Sequence, residues 1–332
     1  MAILTALRPE EIERVARAFA IDVAEAKGVL AGSVNTSFTI VDGRGRRFWL
    51  RVYEEQDHTG ASREARLLSR LAAAGISTPA PLPLAAGATG EGDGRFVAAV
   101  RDKPVCLFPF VEGKHRCQAS VTAEDVALVG RELARVHRVG EALEGAAGLT
   151  AASRFSLADL RTRLVNLPAL LPPDVAVAAA LLSSGLDELA SHESAAEPLP
   201  LIHGDLFRDN VLFTKDGVTL LDFESASIGS AAFDLMVTLL SWCFGDDLNN
   251  DLCRALLAGY QAERPLPDTE IADLAYQGRA ACVRFATTRI TDYELRPRGV
   301  GVYKDYRRFL ARLGELERIG SDLPSYLGLG TQ

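Results

Sequence analysis

The chain has 332 residues, enough for about two domains with well-buried cores, and its 48% hydrophobic and 24% charged residues are those of an ordinary globular protein. A net charge of −8 argues against a general nucleic-acid or anionic-membrane partner, and no stretch approaches the roughly 20 apolar residues of a membrane span. Five cysteines without a Cys-x-x-Cys pair, and an apolar start followed by Glu10, Glu11 and Glu13 in place of a basic leader, predict a cytoplasmic protein with no disulfide framework.

In chain order, residues 9–19 read as a short amphipathic helix, with Ile12, Val15, Ala16 and Phe19 at helical spacing and Pro9 in the first turn. Strands at 37–41 and 48–53 flank the turn Asp42-Gly43-Arg44-Gly45, which predicts a hairpin. A helix over 62–74 carries Ala65, Leu68 and Leu71 on its apolar stripe and stops at Gly75. Pro79, Pro81 and Pro83 then lead through a Gly-rich loop to strands at 95–100 and 105–110. From Thr122 the pattern turns helical, with helices at 125–137, 156–171, 175–189, 233–242, 251–261, 270–290 and 303–319. The expected architecture is α+β and bilobal: a small antiparallel-sheet lobe (1–107), a hinge (108–113) and a larger, mainly helical lobe (114–332), with ligands held between the lobes.

Chemistry concentrates where two apolar strands interrupt the helices. The run Leu201-Ile202-His203-Gly204-Asp205-Leu206-Phe207-Arg208-Asp209-Asn210 delivers His203 and Asp205 to a tight turn, with Asn210 five residues after that Asp, and a second strand ends in Asp222. Single Asp and Asn residues in turns usually bond nearby backbone, but this order and spacing is that of a phosphoryl-transfer site. In kinases built like protein kinases the first Asp accepts the hydroxyl proton, while the Asn and the later Asp hold the magnesium ions. Asp205 is therefore the expected base, with a pKa near the ordinary carboxylate value, and Asn210 and Asp222 the expected Mg2+ ligands. Asp234, early in the next helix, is placed either to accept hydrogen bonds from that loop or to cap its own helix. The five His residues show no metal-ligand spacing, which argues against a metal hydrolase.

ATP is the expected cosubstrate. Gly32, Ser33, Asn35 and Thr36 lie where a kinase places its phosphate-covering turn, without the full Gly-x-Gly-x-x-Gly. Arg51 stands where a protein kinase has its phosphate-binding Lys, and Glu64 in the next helix stands at the ion-pair partner's position. A guanidinium keeps that role and grips phosphate with two donors. Pro109 and Val111, in the apolar segment 108–113, are placed to offer backbone to adenine.

On these residues the chain resembles the aminoglycoside-phosphotransferase and choline-kinase-like superfamily over almost its whole length. The catalytic loop is close to that of the homoserine kinases of this fold, and Gly32-Ser33-Val34-Asn35-Thr36-Ser37-Phe38, Phe108-Pro109-Phe110-Val111-Glu112-Gly113 and Tyr260-Gln261-Ala262-Glu263-Arg264-Pro265-Leu266 agree with them. The resemblance implies transfer of the ATP γ-phosphate to L-homoserine in threonine biosynthesis. Another amino alcohol, an aminoglycoside or a sugar, such as choline or methylthioribose, is the alternative acceptor, and a catalytically silent nucleotide-binding module the non-enzyme one. Glu224 departs from the protein-kinase pattern, which has Gly there. Because homoserine carries a carboxylate, its pocket should contain Arg, and Arg208, Arg284 and Arg289 are the candidates. The sequence specifies no oligomeric state.

Overall fold

The computed structural model describes residues 5–30, 35–87, 95–143, 145–150, 153, 155–191, 199–296 and 303–329. The chain divides into two compact units, one built mainly from residues up to Gly113 and the other mainly from Lys114 onward.

In the first unit, helix α1 (Pro9–Ala18) is followed by β1 (Val23–Val29), β2 (Thr36–Asp42), β3 (Arg47–Val52), helix α2 (His58–Ala73), β4 (Ala98–Val100) and β5 (Lys103–Pro109). The strands form one antiparallel sheet in the order β1-β2-β3-β5-β4. Alternation along the strands sorts the side chains by face. Phe38 and Ile40, Phe48, Leu50 and Val52, and Val105 and Leu107 share a core with Ile12, Val15, Ala16 and Phe19 of α1. The opposite alternation puts Arg51 on the other face, opposite Cys106 in register, and α2 contacts β5. Asp57 caps α2, accepting from the Gly60 N–H at 2.8 Å, so this helix begins four residues earlier than its apolar stripe suggested.

The strand β1 was not expected. Its segment, Val-Ala-Glu-Ala-Lys-Gly-Val, lacks a regular apolar alternation and is mostly exposed. It is an edge strand whose charges deter pairing with another chain, and it exists because β2 supplies its hydrogen-bond ladder.

The second unit contains α3 (Ala123–Ala142), the one-turn α4 (Ala146–Leu149), α5 (Leu157–Val165) and α6 (Pro173–Ala190), then β6 (Leu201–Ile202), β7 (Val211–Thr214), β8 (Gly217–Leu220) and β9 (Ser227–Ile228). Helices α7 (Ala231–Trp242), α8 (Asn250–Gln261), α9 (Asp268–Arg289) and α10 (Arg307–Ile319) follow. The four short strands make two antiparallel pairs, the hairpin β7–β8 and the pair β6–β9 that brackets it in sequence. Helix α9 lies against α5, α6, α7 and α10, and it runs into a π-helical turn over Ile290–Glu294. Helices α3 and α8 meet at glycines: a Cβ on Gly130 would lie 2.1 Å from the Leu256 carbonyl oxygen, and one on Gly259 2.0 Å from that of Ala127. Among the described residues no helix is long and apolar enough to cross a membrane.

Candidate active site

The loop after β6 is held backbone group by backbone group. The N–H groups of His203 and Gly204 donate to the two carboxylate oxygens of Asp234, at 2.7 and 2.8 Å. The Gly204 carbonyl accepts from Arg284 Nη1 at 2.6 Å, the Asp205 carbonyl from Asn210 Nδ2 and the Phe207 N–H, both at 2.8 Å, and the Leu206 carbonyl from Trp242 Nε1 at 3.0 Å and Ser241 Oγ at 3.2 Å. Such complete pairing fixes the loop before any ligand arrives. Gly204 has φ +75°, and a Cβ there would sit 2.8 Å from the Ser225 carbonyl oxygen, so this turn requires glycine.

Asp234 proves to be a loop anchor, because Ser230 takes the capping role on α7 by accepting from the Phe233 N–H. Its Oδ2 also meets His137 Nε2 at 3.0 Å, and His137 Nδ1 meets the Tyr260 hydroxyl at 2.7 Å. Tyr260 accepts in turn from Arg264, which is clamped by both oxygens of Glu270 and by Glu141. The network is satisfied when Tyr260 donates to His137 Nδ1 and His137 Nε2–H donates to Asp234. Burial alone would raise the Asp234 pKa, but the His137 hydrogen bond and the nearby His137 and His203 rings hold it below the usual carboxylate range.

His203 is buried with Nε2 2.9 Å from the Leu221 carbonyl, which only accepts, so Nε2 carries the proton. Its Nδ1 faces the Asp205 N–H at 3.3 Å. Burial lowers the His203 pKa despite the neighbouring acids, which agrees with this neutral tautomer.

Burial pushes the Asp205 carboxyl up to about 7; Arg284 and Lys304 oppose the rise, and Asp222 and Asp209 add to it. This corrects the expected ordinary value, because sequence spacing carries no information about desolvation. Asn210, with Nδ2 committed to Asp205, presents its acceptor Oδ1 on the other side of the amide. The Leu221 N–H bonds the Asn210 carbonyl at 2.9 Å, tying the residue before Asp222 to that segment, and Asp222 itself is left-handed at φ +64°. An amide oxygen and a carboxylate on tethered segments are a hard donor set that fits Mg2+.

Of the three candidate arginines, Arg284 is buried, bonded to Gly204 and set 4.1 Å over the Phe155 ring. Arg208 turns toward Gln118 and the Ser241 carbonyl. Arg289 donates to the Asp305 carbonyl at 2.9 Å and stacks on Phe309 at 4.4 Å.

The remaining candidates lie in the first unit. Arg51 pairs with Glu64 at 3.2 Å, both largely buried, on the sheet face toward α2. The Asn35 side chain accepts from the Glu54 N–H at 3.2 Å. Thr36 accepts from the Thr5 N–H at 3.0 Å and donates to Glu54, which also pairs with Lys103. Pro109 ends β5, and Val111 follows it, half-buried. Gly32 and Ser33 lie outside the described residues. Sequence reasoning missed Gln118, Ser241 and Trp242 as supports of the loop, since nothing in their local pattern signals a contact so distant in sequence.

The sequence model of the phosphotransferase enzyme family matches residues 25–266. A homoserine kinase of Azorhizobium caulinodans is 33% identical over 294 residues, covering 86% of each chain. Among solved structures, an amicoumacin kinase in complex with AMP-PNP and Ca2+ superposes with a TM-score of 0.70 at 15% identity, covering 96% of this chain and 94% of its own. A microcompartment-associated aminopropanol kinase does so with a TM-score of 0.68 at 20% identity, covering 96% and 99%. With its α+β fold and its Asp205–Asn210–Asp222 constellation, the chain belongs to the phosphotransferase enzyme family.

Proposed function

We propose that this protein is an ATP-dependent kinase that phosphorylates the hydroxyl of L-homoserine. The observation that carries the reading is the likeness to homoserine kinases, at 33% identity over most of both chains, in a protein that keeps Asp205, Asn210 and Asp222.

In this reading the homoserine hydroxyl donates a hydrogen bond to the Asp205 carboxylate, which aims the oxygen at the γ-phosphorus. The oxygen forms the new P–O bond as the bond to the β-phosphate bridge breaks, ADP leaves, and the hydroxyl proton passes to Asp205. Because the transition state is loose, Asp205 needs to orient first and accept the proton late, and its raised pKa suits a group that takes up and returns a proton near neutrality. Asn210 and Asp222 would hold Mg2+, which supplies positive charge to the phosphate oxygens. Arg51, kept in place by Glu64, would grip the phosphates bidentately, and the backbone of Pro109 and Val111 would meet the adenine. The loop amides need no rearrangement, since Asp234 already holds them.

A coupled ADP-release assay with Mg2+ and ATP tests this, using L-homoserine beside choline, kanamycin and methylthioribose. Homoserine should give the highest kcat/KM; turnover with choline or kanamycin but not homoserine would reject the acceptor and spare the reaction. Asp205→Asn should retain ATP binding and lose turnover by about a thousandfold or more, the scale of a positioned base together with its orienting hydrogen bond.

A further inference from the structure

The peptide plane that leads into Asp205 is built from the Gly204 carbonyl and the Asp205 N–H, which turn together because the bond between them is rigid. Two hydrogen bonds hold that plane. In one, the Asp205 N–H donates to His203 Nδ1, long at 3.3 Å and made within the same turn. In the other, the Gly204 carbonyl accepts from Arg284 Nη1 at 2.6 Å, across 80 residues of sequence. The Arg284 bond is short and charge-assisted, which makes it the stronger of the two. Gly204, at φ +75°, has no Cβ to restrict rotation, so the direction of the plane depends on what its carbonyl meets.

The neighbouring planes have their own supports. Asp234 accepts from the Gly204 N–H at 2.8 Å on the side before, and on the side after, the Asp205 carbonyl accepts from Asn210 Nδ2 and the Phe207 N–H, both at 2.8 Å. Asp205 is thus gripped on both of its peptide planes, and Arg284 supplies the firm grip on the incoming one.

Arg284 is itself held in place. It is 5% exposed on α9, with its guanidinium 4.1 Å from the centre of the Phe155 ring, 4.6 Å from that of Phe285 and 5.6 Å from that of Phe233. A planar, weakly hydrated guanidinium suits such an aromatic box, where an ammonium is costlier to bury. Phe285 also meets Phe207 with ring centres 4.9 Å apart, so two adjacent residues of α9 brace the loop on either side of Asp205.

Resting on the kinase reading, we infer that Arg284 is a positioning residue: by fixing the Gly204–Asp205 peptide plane it sets the direction of the Asp205 carboxylate, and it serves the base instead of the acceptor's carboxylate. Transfer depends on how the hydroxyl is aimed at phosphorus, and a misplacement of about 1 Å can cost about a hundredfold in rate. An acceptor that lacks a carboxylate therefore needs Arg284 as much as homoserine does.

The test compares L-homoserine with 3-aminopropan-1-ol, which has the same hydroxyl and amine but no carboxylate, in the wild type, Arg284→Met and Arg284→Lys, and repeats the substitutions in Asp205→Asn. Arg284→Met should lower kcat by about 10- to 100-fold on both acceptors alike, with each KM, that of ATP included, within about threefold of the wild type. Arg284→Lys should recover part of the loss, because an ammonium can still donate to the Gly204 carbonyl. In Asp205→Asn, where the carboxylate to be aimed is gone, Arg284→Met should cost less than about threefold more. If Arg284→Met does not fold, Arg284→Lys carries the same cycle, with its smaller loss again equal on both acceptors and absent in Asp205→Asn. A loss confined to homoserine and carried by its KM would make Arg284 a ligand of the acceptor and overturn the inference, as would an unchanged kcat or a full further loss in Asp205→Asn; all three leave the kinase reading standing. A wild type that turns over the amino alcohol alone overturns the homoserine assignment, and the cycle is then read on that acceptor; one that turns over neither overturns the kinase reading and this inference together.

Discussion

Asp234 draws the His203 and Gly204 amides and the His137 ring onto one buried carboxylate, so the protonation of this cluster is coupled to the stability of the second unit. His203 has a folded-state pKa below its unfolded value, because burial disfavours the charged ring. Below about pH 6.5 the unfolded chain takes up a proton that the folded one refuses; the contribution is therefore complete above that pH and is lost as pH falls. Asp234 has the same sign in a lower window: its depressed pKa adds stability above the unfolded value of about 3.9, lost on further acidification through the folded value. His203 should accordingly pull the melting temperature down from pH 7 to pH 5, against Asp205, whose raised pKa adds stability as pH falls through the same interval. Thermal scans of the wild type and His203→Gln isolate the His203 part, since the variant lacks the ring and keeps Asp205: the wild type should lose more melting temperature, or gain less, than the variant between pH 7 and pH 5. Equal slopes would remove His203 as the cause.

Helices α3 and α8 carry the next level of support, because Tyr260, which braces His137, follows directly on Gly259 at their crossing. Alanine at 259 would put a methyl 2.0 Å from the Ala127 carbonyl oxygen, and a clash with backbone cannot be relieved by turning a side chain. Gly259→Ala should therefore cost about 3 kcal/mol or more and lower kcat by shifting Tyr260, as read by denaturant titration and assay. Gly314→Ala is the control: a Cβ in that stretch of α10 meets nothing within 4 Å, and alanine should be neutral or stabilise by up to about 1 kcal/mol. These contacts explain what was readable in advance. The candidate set Asp205, Asn210 and Asp222 was legible because a loop between two short strands sets their spacing locally, and α1, α3 and α6–α10 were legible because apolar periodicity records a buried face. Strand β1 was missed because its partner, not its own pattern, makes it a strand, and the early start of α2 was missed because the Asp57 cap precedes the apolar stripe. The supports at Gln118, Ser241 and Trp242 and the raised pKa of Asp205 depend on packing between distant segments, which periodicity does not encode.

The whole chain carries a formal charge of −8, yet its expected cosubstrate is a polyanion, so general electrostatics oppose nucleotide binding and local cations must overcome them. Arg51 is paired with Glu64, which leaves that pair with little net charge. Phosphate neutralisation therefore falls largely on the divalent cation assigned to Asn210 and Asp222, whose oxygens suit a hard ion. A ligand that binds only the folded chain stabilises it by about 2.7 kcal/mol at a hundred times its Kd. ATP with Mg2+ should raise the melting temperature, and chelation with EDTA should abolish most of that rise while leaving the ligand-free protein unaffected. Asp222→Asn should behave in Mg2+ much as the wild type does in EDTA, whereas Arg51→Ala should weaken the protection and leave it dependent on the cation. Protection of equal size with and without EDTA would show that the nucleotide binds without the ion, and the assignment of Asn210 and Asp222 would fall with it.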